Sequence, residues 1–198
     1  MQSSRCVLAF DTSAAHCAAA LLLDDHVTVK ALSMQKGQAE QLVPLIEDVM
    51  ATAGKTLAEI DLIGVGIGPG NFTGIRISVS FARSLSLSLD RAAVGVSSFD
   101  ASYFGRKEAA HVVVPGPQDK VYLKTYPDSG APLELVEKAS LEHAVTPVVE
   151  RIDPAALVTN IAKIARDADL AAITPPAPLY IKPPDAAPAR DTAPVRLT

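Results

Sequence analysis

Residues Gly64 to Leu89 read GVGIGPGNFTGIRISVSFARSLSLSL, and the reading given to them decides the fold. A glycine-rich turn runs straight into a long segment that is apolar or small on nearly every side. Gly66, Gly68, Pro69, Gly70 and Gly74 let the backbone turn tightly, because glycine takes positive φ without a Cβ penalty. Such a turn either cradles a phosphate or lets a helix pack close to something. In the helix that follows, Gly74, Ser78 and Ala82 recur every four residues as a stripe of small side chains. Ile77, Phe81 and Leu85 make a bulky stripe beside it, and Val79 and Leu89 widen the apolar surface. A helix resting only on its own sheet needs one apolar face, and this one presents two. The second face meets either a neighbouring helix of the same chain, the segment 41–53, or another subunit.

Outward from this segment, Leu62 to Ile67 is a strand leading into the turn, and Ala92 to Val96 is the strand after the helix. Ser97 or Ser98 is a natural N-cap for a short helix through Phe104. Upstream, Cys6–Phe10, Cys17–Leu23 and Val27–Leu32 form a three-stranded antiparallel meander. Leu42, Leu45, Ile46, Val49, Met50 and Ala53 lie three and four apart, which predicts an amphipathic helix. Pro44 places its regular start close to Glu40 or Gln41. The order β-β-β-α-β-α-β-α implies a mixed sheet covered by helices. Downstream the pattern weakens. His111–Val114 and Val121–Tyr126 read as strands, and Asp153–Asp167 as a helix with Pro154 in its first position. From Thr174 onward the chain holds seven of its 15 prolines, which predicts an extended tail with disordered last residues.

The bulk composition narrows the function. The 198 residues suffice for one good core or two small lobes. Hydrophobic content of 48% with 20% charged residues fits a globular protein. A net charge of −4 gives no general attraction to nucleic acid or to anionic lipid, so any RNA would be held mainly through a partner. Cys6 and Cys17 read as reduced core thiols. No secretory signal is visible, and Arg76, Arg83 and the serines of Phe72–Leu89 argue against a membrane span. A cytoplasmic protein is expected.

The chemistry-bearing patterns are few. No G-x-G-x-x-G occurs in the glycine turn in any register. Gly54-Lys55-Thr56 mimics the end of a phosphate loop, but Val49 stands where its first glycine belongs. His16, His26, His111 and His143 are scattered without ligand spacing, so no metal site is expected. Ser13 and His16 read as parts of a solvated turn, with no third group to orient them. Asp11, followed by Thr12 and Ser13, stands at the end of the first strand, where sugar kinases and actin-like ATPases hold magnesium and phosphate. Its alternative role is to satisfy the amides of its own turn.

These segments together resemble the bacterial TsaB family, also called YeaZ. Val65 to Ala82 resembles its G-x-GPGSFTGLRIG signature, with Asn71 where serine is usual. Val7 to Ser13 resembles its opening I-L-A-I-D-T-S, Gly95 to Ser98 its G-V-S-S, and Tyr180 to Pro184 its closing Y-L-R-P. Gln38-Ala39-Glu40 replaces its H-S-E, and Pro115 to Asp119 its A-R-R-G turn. The resemblance implies an α/β, actin-like ASKHA (ribonuclease H-like) fold with mixed sheets. A well-formed first lobe is expected over 1–104, a reduced second lobe over 105–180, and a proline-rich tail over 181–198.

It further implies a noncatalytic subunit in making threonylcarbamoyladenosine in tRNA, paired with the catalytic paralogue TsaD and working with the ATPase TsaE. Homodimers and heterodimers would share the helices of the first lobe, at Leu42, Leu45, Ile46, Val49, Phe72, Ile75, Ser78, Val79, Ala82 and Leu85. Contact with tRNA would be indirect. No cofactor is firmly implied; ATP or ADP would have a place at a subunit junction, with Asp11, Thr12 and Ser13 as the candidate binding residues. The paralogue carries a V-N-H-x-x-x-H metal motif, and Ser98 and Ser102 stand at its two histidine positions. A small-molecule kinase or ATPase acting through Asp11 is the alternative.

Overall fold

The computed structural model of the chain describes residues 5–128 and 130–181. The first three strands, β1 (Cys6–Asp11), β2 (His16–Leu23) and β3 (His26–Ser33), form the expected antiparallel meander. Two further strands, β4 (Leu62–Gly66) and β5 (Ala92–Val96), join on the other side of β1 in parallel, giving the order β3-β2-β1-β4-β5. The strands β1 and β4 are buried along their whole length, as central strands covered on both faces must be.

Helix α1 (Gln38–Thr52) and helix α2 (Phe72–Leu89) share one face of this sheet. Helix α1 begins two or three residues before the position expected from Pro44, because Gly37 enters it at φ 88°. Pro44 therefore lies inside the helix, on its exposed side, where its ring faces solvent. The short helix α3 (Ser98–Tyr103) follows β5, and Ser97 Oγ caps it by accepting from the Asp100 amide at 3.0 Å.

A second sheet, β8-β7-β6-β9, is built from β6 (Ala110–Pro115), β7 (Lys120–Tyr126), β8 (Glu134–Glu137) and β9 (Val148–Glu150). The chain then returns to the first sheet. Helix α4 (Pro154–Arg166) lays Leu157, Ile161, Ala162 and Ala165 against Val7, Ala9, Leu62 and Val94, closing the face opposite α1 and α2. Asp153 caps α4, its Oδ1 accepting from the amides of Ala155 and Ala156 at 3.0 Å each. The segment 154–166 thus belongs with the first lobe, which corrects its assignment by sequence to the span 105–180. An extended strap follows, in which Pro176 packs on Gly95 of the edge strand β5. Proline has no amide to offer there, so the edge is covered without the sheet being lengthened. The remaining tail, 182–198, lies outside the described residues.

The two apolar faces of α2 are both used within the chain. The small stripe lies on the first sheet: a Cβ at Gly74 would overlap the Thr12 carbonyl, and Ser78 Oγ donates to Gly66 O at 3.2 Å. On the bulky stripe, Phe81 meets Phe10 edge to face at 5.4 Å, and Ile77 and Leu85 complete a core shared with α1. The intramolecular neighbour is thus α1 itself. Of the ten residues expected at a subunit contact, Leu42, Leu45, Ile46, Val49, Ile75, Ser78, Val79, Ala82 and Leu85 are at most 9% exposed, and only Phe72, at 40%, faces outward. Their burial is a property of the monomer. Accordingly Ala82→Glu, which forces an unpaired charge into this core, should cost more than about 3 kcal/mol. Ser80→Glu, on the outer side of the same helix, should change stability by no more than about 0.5 kcal/mol. Urea denaturation of the two variants checks the contrast; equal stabilities would mean that Ala82 is not in the core.

Candidate functional site

Parallel strands β1, β4 and β5 all end at the same edge of the first sheet, and the resemblance-bearing segments meet there. The Asn71 amide donates to Ser13 O at 2.6 Å, joining the turn after β4 to the turn after β1. Ser98 donates its amide to Gly68 O at 2.7 Å, and Leu179 of the strap donates to Ile67 O at 2.9 Å. Arg76 Nε donates to Tyr180 Oη at 2.9 Å, with the guanidinium 3.8 Å from the Phe72 ring centre. Segments far apart in sequence therefore close on one another through backbone bonds, and the glycines make the approach possible. A Cβ at Gly66 would overlap the Asp11 carboxylate, and one at Gly70 the Ser13 carbonyl.

Asp11, Thr12 and Ser13 are fully buried, and His16 is nearly so. Asp11 Oδ1 takes three hydrogen bonds: from the Ser13 amide at 3.0 Å, from Ser13 Oγ at 2.8 Å and from His16 Nε2 at 2.7 Å. Ser13 and His16 are thus not in a solvated turn, as their sequence suggested. A third group does orient them. Yet Ser13 directs its proton to the carboxylate and not to the imidazole, so the trio is not a nucleophile with its base. Thr12 Oγ1 donates to Gly74 O at 2.7 Å, which fixes the start of α2 on β1. Asp11 Oδ2 is buried against Gly66 with no partner. Burial alone would raise the Asp11 pKa; the hydrogen bond and charge of His16, with the two bonds from Ser13, outweigh it and hold the carboxyl below its ordinary value.

The other sequence candidates find structural roles. Ser98 is buried, and Ser102 Oγ accepts from the Ile152 amide at 3.4 Å, tying α3 to the entry of α4. Hydroxyls at these two positions do not suit a metal ion. Among the described residues no group of three His, Cys, Asp or Glu side chains converges. Thr56 and Glu59 form a capping box, with Lys55 Nζ 2.8 Å from Glu59, so the Gly54-Lys55-Thr56 triplet opens a helical turn. Cys6 and Cys17 are free and buried, and burial pushes the Cys17 thiol up to about 11. Among the described residues no helix is long and apolar enough to cross a membrane. Sequence reading missed Asp100, Lys124, Tyr126 and Arg151. Of these, Arg151 is half-buried at the entry of α4; burial lowers its pKa, and the Asp11 charge opposes that.

A five-stranded mixed sheet sandwiched by helices, with its acidic turn at the end of β1 and a second sheet beyond, defines an ASKHA-type α/β protein. The family model described as "TsaD: tRNA N6-adenosine threonylcarbamoyltransferase" matches residues 32–180. The tRNA threonylcarbamoyladenosine biosynthesis protein TsaB of Escherichia coli K12 is 33% identical over 92 residues, covering 46% of this chain and 40% of that protein. An uncharacterized protein of Mycobacterium tuberculosis H37Rv is 31% identical across 92% of this chain and 94% of its own length. The solved structure of YeaZ from Pseudomonas aeruginosa has the same fold, with a TM-score of 0.67 at 23% identity over 81% of this chain and 92% of that one. The chain belongs to the TsaB (YeaZ) family. It matches about two fifths of the length of the Escherichia coli relative.

The buried Asp11 network has a pH signature. A carboxyl whose folded pKa is depressed adds stability above its unfolded value, near 4, and loses it as pH falls through the folded value. The advantage of the wild type over Asp11→Asn should therefore be full at neutral pH and shrink on acidification below about 4. Denaturation midpoints of both proteins across that range measure it. A difference that grows on acidification would reverse the sign.

Proposed function

We propose that the chain is a noncatalytic scaffold subunit in forming threonylcarbamoyladenosine in tRNA, pairing with a TsaD-type catalytic paralogue and working beside a TsaE-type ATPase in the cytoplasm. One observation carries the reading. The polar groups of the turn after β1, where a catalytic member of the fold would present them to a substrate, are buried and largely spent on internal bonds: Asp11 Oδ1 on Ser13 and His16, and Thr12 on Gly74, with only Asp11 Oδ2 unpaired. A protein built this way acts by what it holds. Direct contact with tRNA is left to the partner, in keeping with the net charge of −4.

The surface proposed for pairing is the outer side of α1 and α2, since their inner sides form the core. Val43, Pro44 and Glu47 of α1 are exposed, as are Thr73, Ser80 and Ser84 of α2. Charge is divided between the helices: α1 exposes Glu40, Glu47 and Asp48, whereas α2 carries Arg76 and Arg83 and no acid. A two-fold contact would lay the acids of one copy against the arginines of the other. The same face would serve a homodimer and the TsaD-type partner in turn, so the two would compete.

Mixing the chain with its TsaD-type partner and measuring the mass by light scattering should give a heteromeric complex. Depletion in cells should remove the modified nucleoside. Val43→Asp and Ser80→Glu should leave the monomer folded while abolishing both assemblies. A chain that never associates with the partner, with the nucleoside unchanged on depletion, would falsify the scaffold reading.

A further inference from the structure

A cavity of about 350 Å³ opens beside the site just described, between the two sheets. Ile67 and Ser97, the residues directly after β4 and β5, form part of its wall. Ligands of open α/β sheets bind in this position, outside the carboxyl ends of the strands. Its volume lies within the ordinary range for small-molecule sites, about 300–1,000 Å³. One side is apolar, from Ile67, Leu133 and Leu179, each only partly covered. The other side is a polar pole of Asp100, Lys124 and Asp128.

The pole is an acceptor surface with a cation wedged into it. Asp100 accepts from Ser97 Oγ at 2.5 Å, from Lys124 Nζ at 3.1 Å and from Tyr126 Oη. Lys124 Nζ also lies 2.9 Å from Asp128 Oδ2. Two carboxylates share one ammonium, so the pole carries net negative charge. The acids still face the opening, their side chains 42% and 51% exposed, whereas that of Lys124 is 18% exposed. Tyr126 adds no charge of its own: burial, then its bond to Asp100, pushes the phenol far above its usual range, so it stays a neutral donor. Burial pulls the Lys124 ammonium down, but its bond to Asp128 and the charge of Asp100 more than offset this, so it stays charged. Rings of Tyr103 and Tyr126 stacked at 4.1 Å back the pole and hold its geometry.

We propose that this cavity binds a small, flat apolar molecule with a planar amidine-like or guanidine-like head, the head on Asp100 and Asp128 and the body against Leu133 and Leu179. A planar head with parallel N–H donors matches carboxylate geometry better than the ammonium it displaces. The site is separate from the pairing surface of α1 and α2, so it stands or falls independently of the scaffold reading. Benzamidine is the probe, with benzoate as the control of equal shape and opposite charge.

Calorimetric titration of the full chain should show saturable benzamidine binding and none of benzoate. Amide shifts in an NMR titration should localise to Ser97, Leu133 and Leu179. Asp100→Asn, and independently the surface variant Asp128→Asn, should weaken binding about tenfold or more, the worth of a charge-assisted hydrogen bond. Lys124→Gln should tighten it, because the competing cation is gone. No saturable binding, benzoate binding as well as benzamidine, shifts confined to another surface, unchanged affinity in both acid variants, or weaker binding in Lys124→Gln would each overturn the proposal.

Discussion

Everything at the functional edge depends on how closely the turn after β4 can lie on the turn after β1. Asp11, Thr12 and Ser13 present a carboxylate and two carbonyls to the places where Gly66, Gly74 and Gly70 have no side chain. With any Cβ there, the backbones would separate. The bond from Asn71 to Ser13, the bond from Thr12 to Gly74 and the seat of α2 on its sheet would then be lost together. Glycine costs helix and turn stability through its unfolded-state entropy. The contacts it permits outweigh that cost because several buried groups depend on each one.

The buried charge at this junction is the less comfortable part. A fully desolvated carboxylate is costly unless hydrogen bonds replace its water. Asp11 receives three on one oxygen and none on the other. Oδ2 rests against Gly66, where only the lack of a side chain leaves it room. The arrangement gives specificity to the turn: a chain that shifted its register here would bury the acid without His16 or Ser13.

Much of this was legible in the residues. The meander, both parallel strands, α2 and α4 follow from periodicity, and the Ser97 cap from residue type, because local rules govern them. The strands β8 and β9 escaped, being short and largely exposed, so that neither alternation nor apolar content marks them. The second apolar face of α2 was visible, but what covers it was not. Periodicity reports that a face is buried and is silent on whether a sister helix or another subunit buries it, and here the answer is α1. His16 and Ser13 were misread for a related reason. Polar residues in a short turn usually meet water, and only the tertiary placement of Asp11 under the glycine turn removes it. The cluster of Asp100, Lys124 and Tyr126 joins α3 to the second sheet across 24 to 26 residues, a spacing no local pattern encodes.

The return of α4 ties the two lobes together. Because α4 belongs to the first sheet but follows the second, the chain crosses between lobes twice, and the strap crosses the same junction again. Arg5 Nη1 donates to Arg166 O at 2.9 Å, and the Asp61 carboxylate accepts from the Cys6 amide at 2.8 Å, so the far end of the sheet is tied as well. Catalytic members of such folds gain from lobes that open and close around a substrate. Here the aromatic clasp of Phe72, Arg76 and Tyr180 ties the strap to the first lobe, and the Asp11 network braces the turn after β1 from within that lobe. The core that α1 and α2 share holds their outer faces side by side. For the pairing surface proposed above, faces held in place this way lose little entropy when they dock.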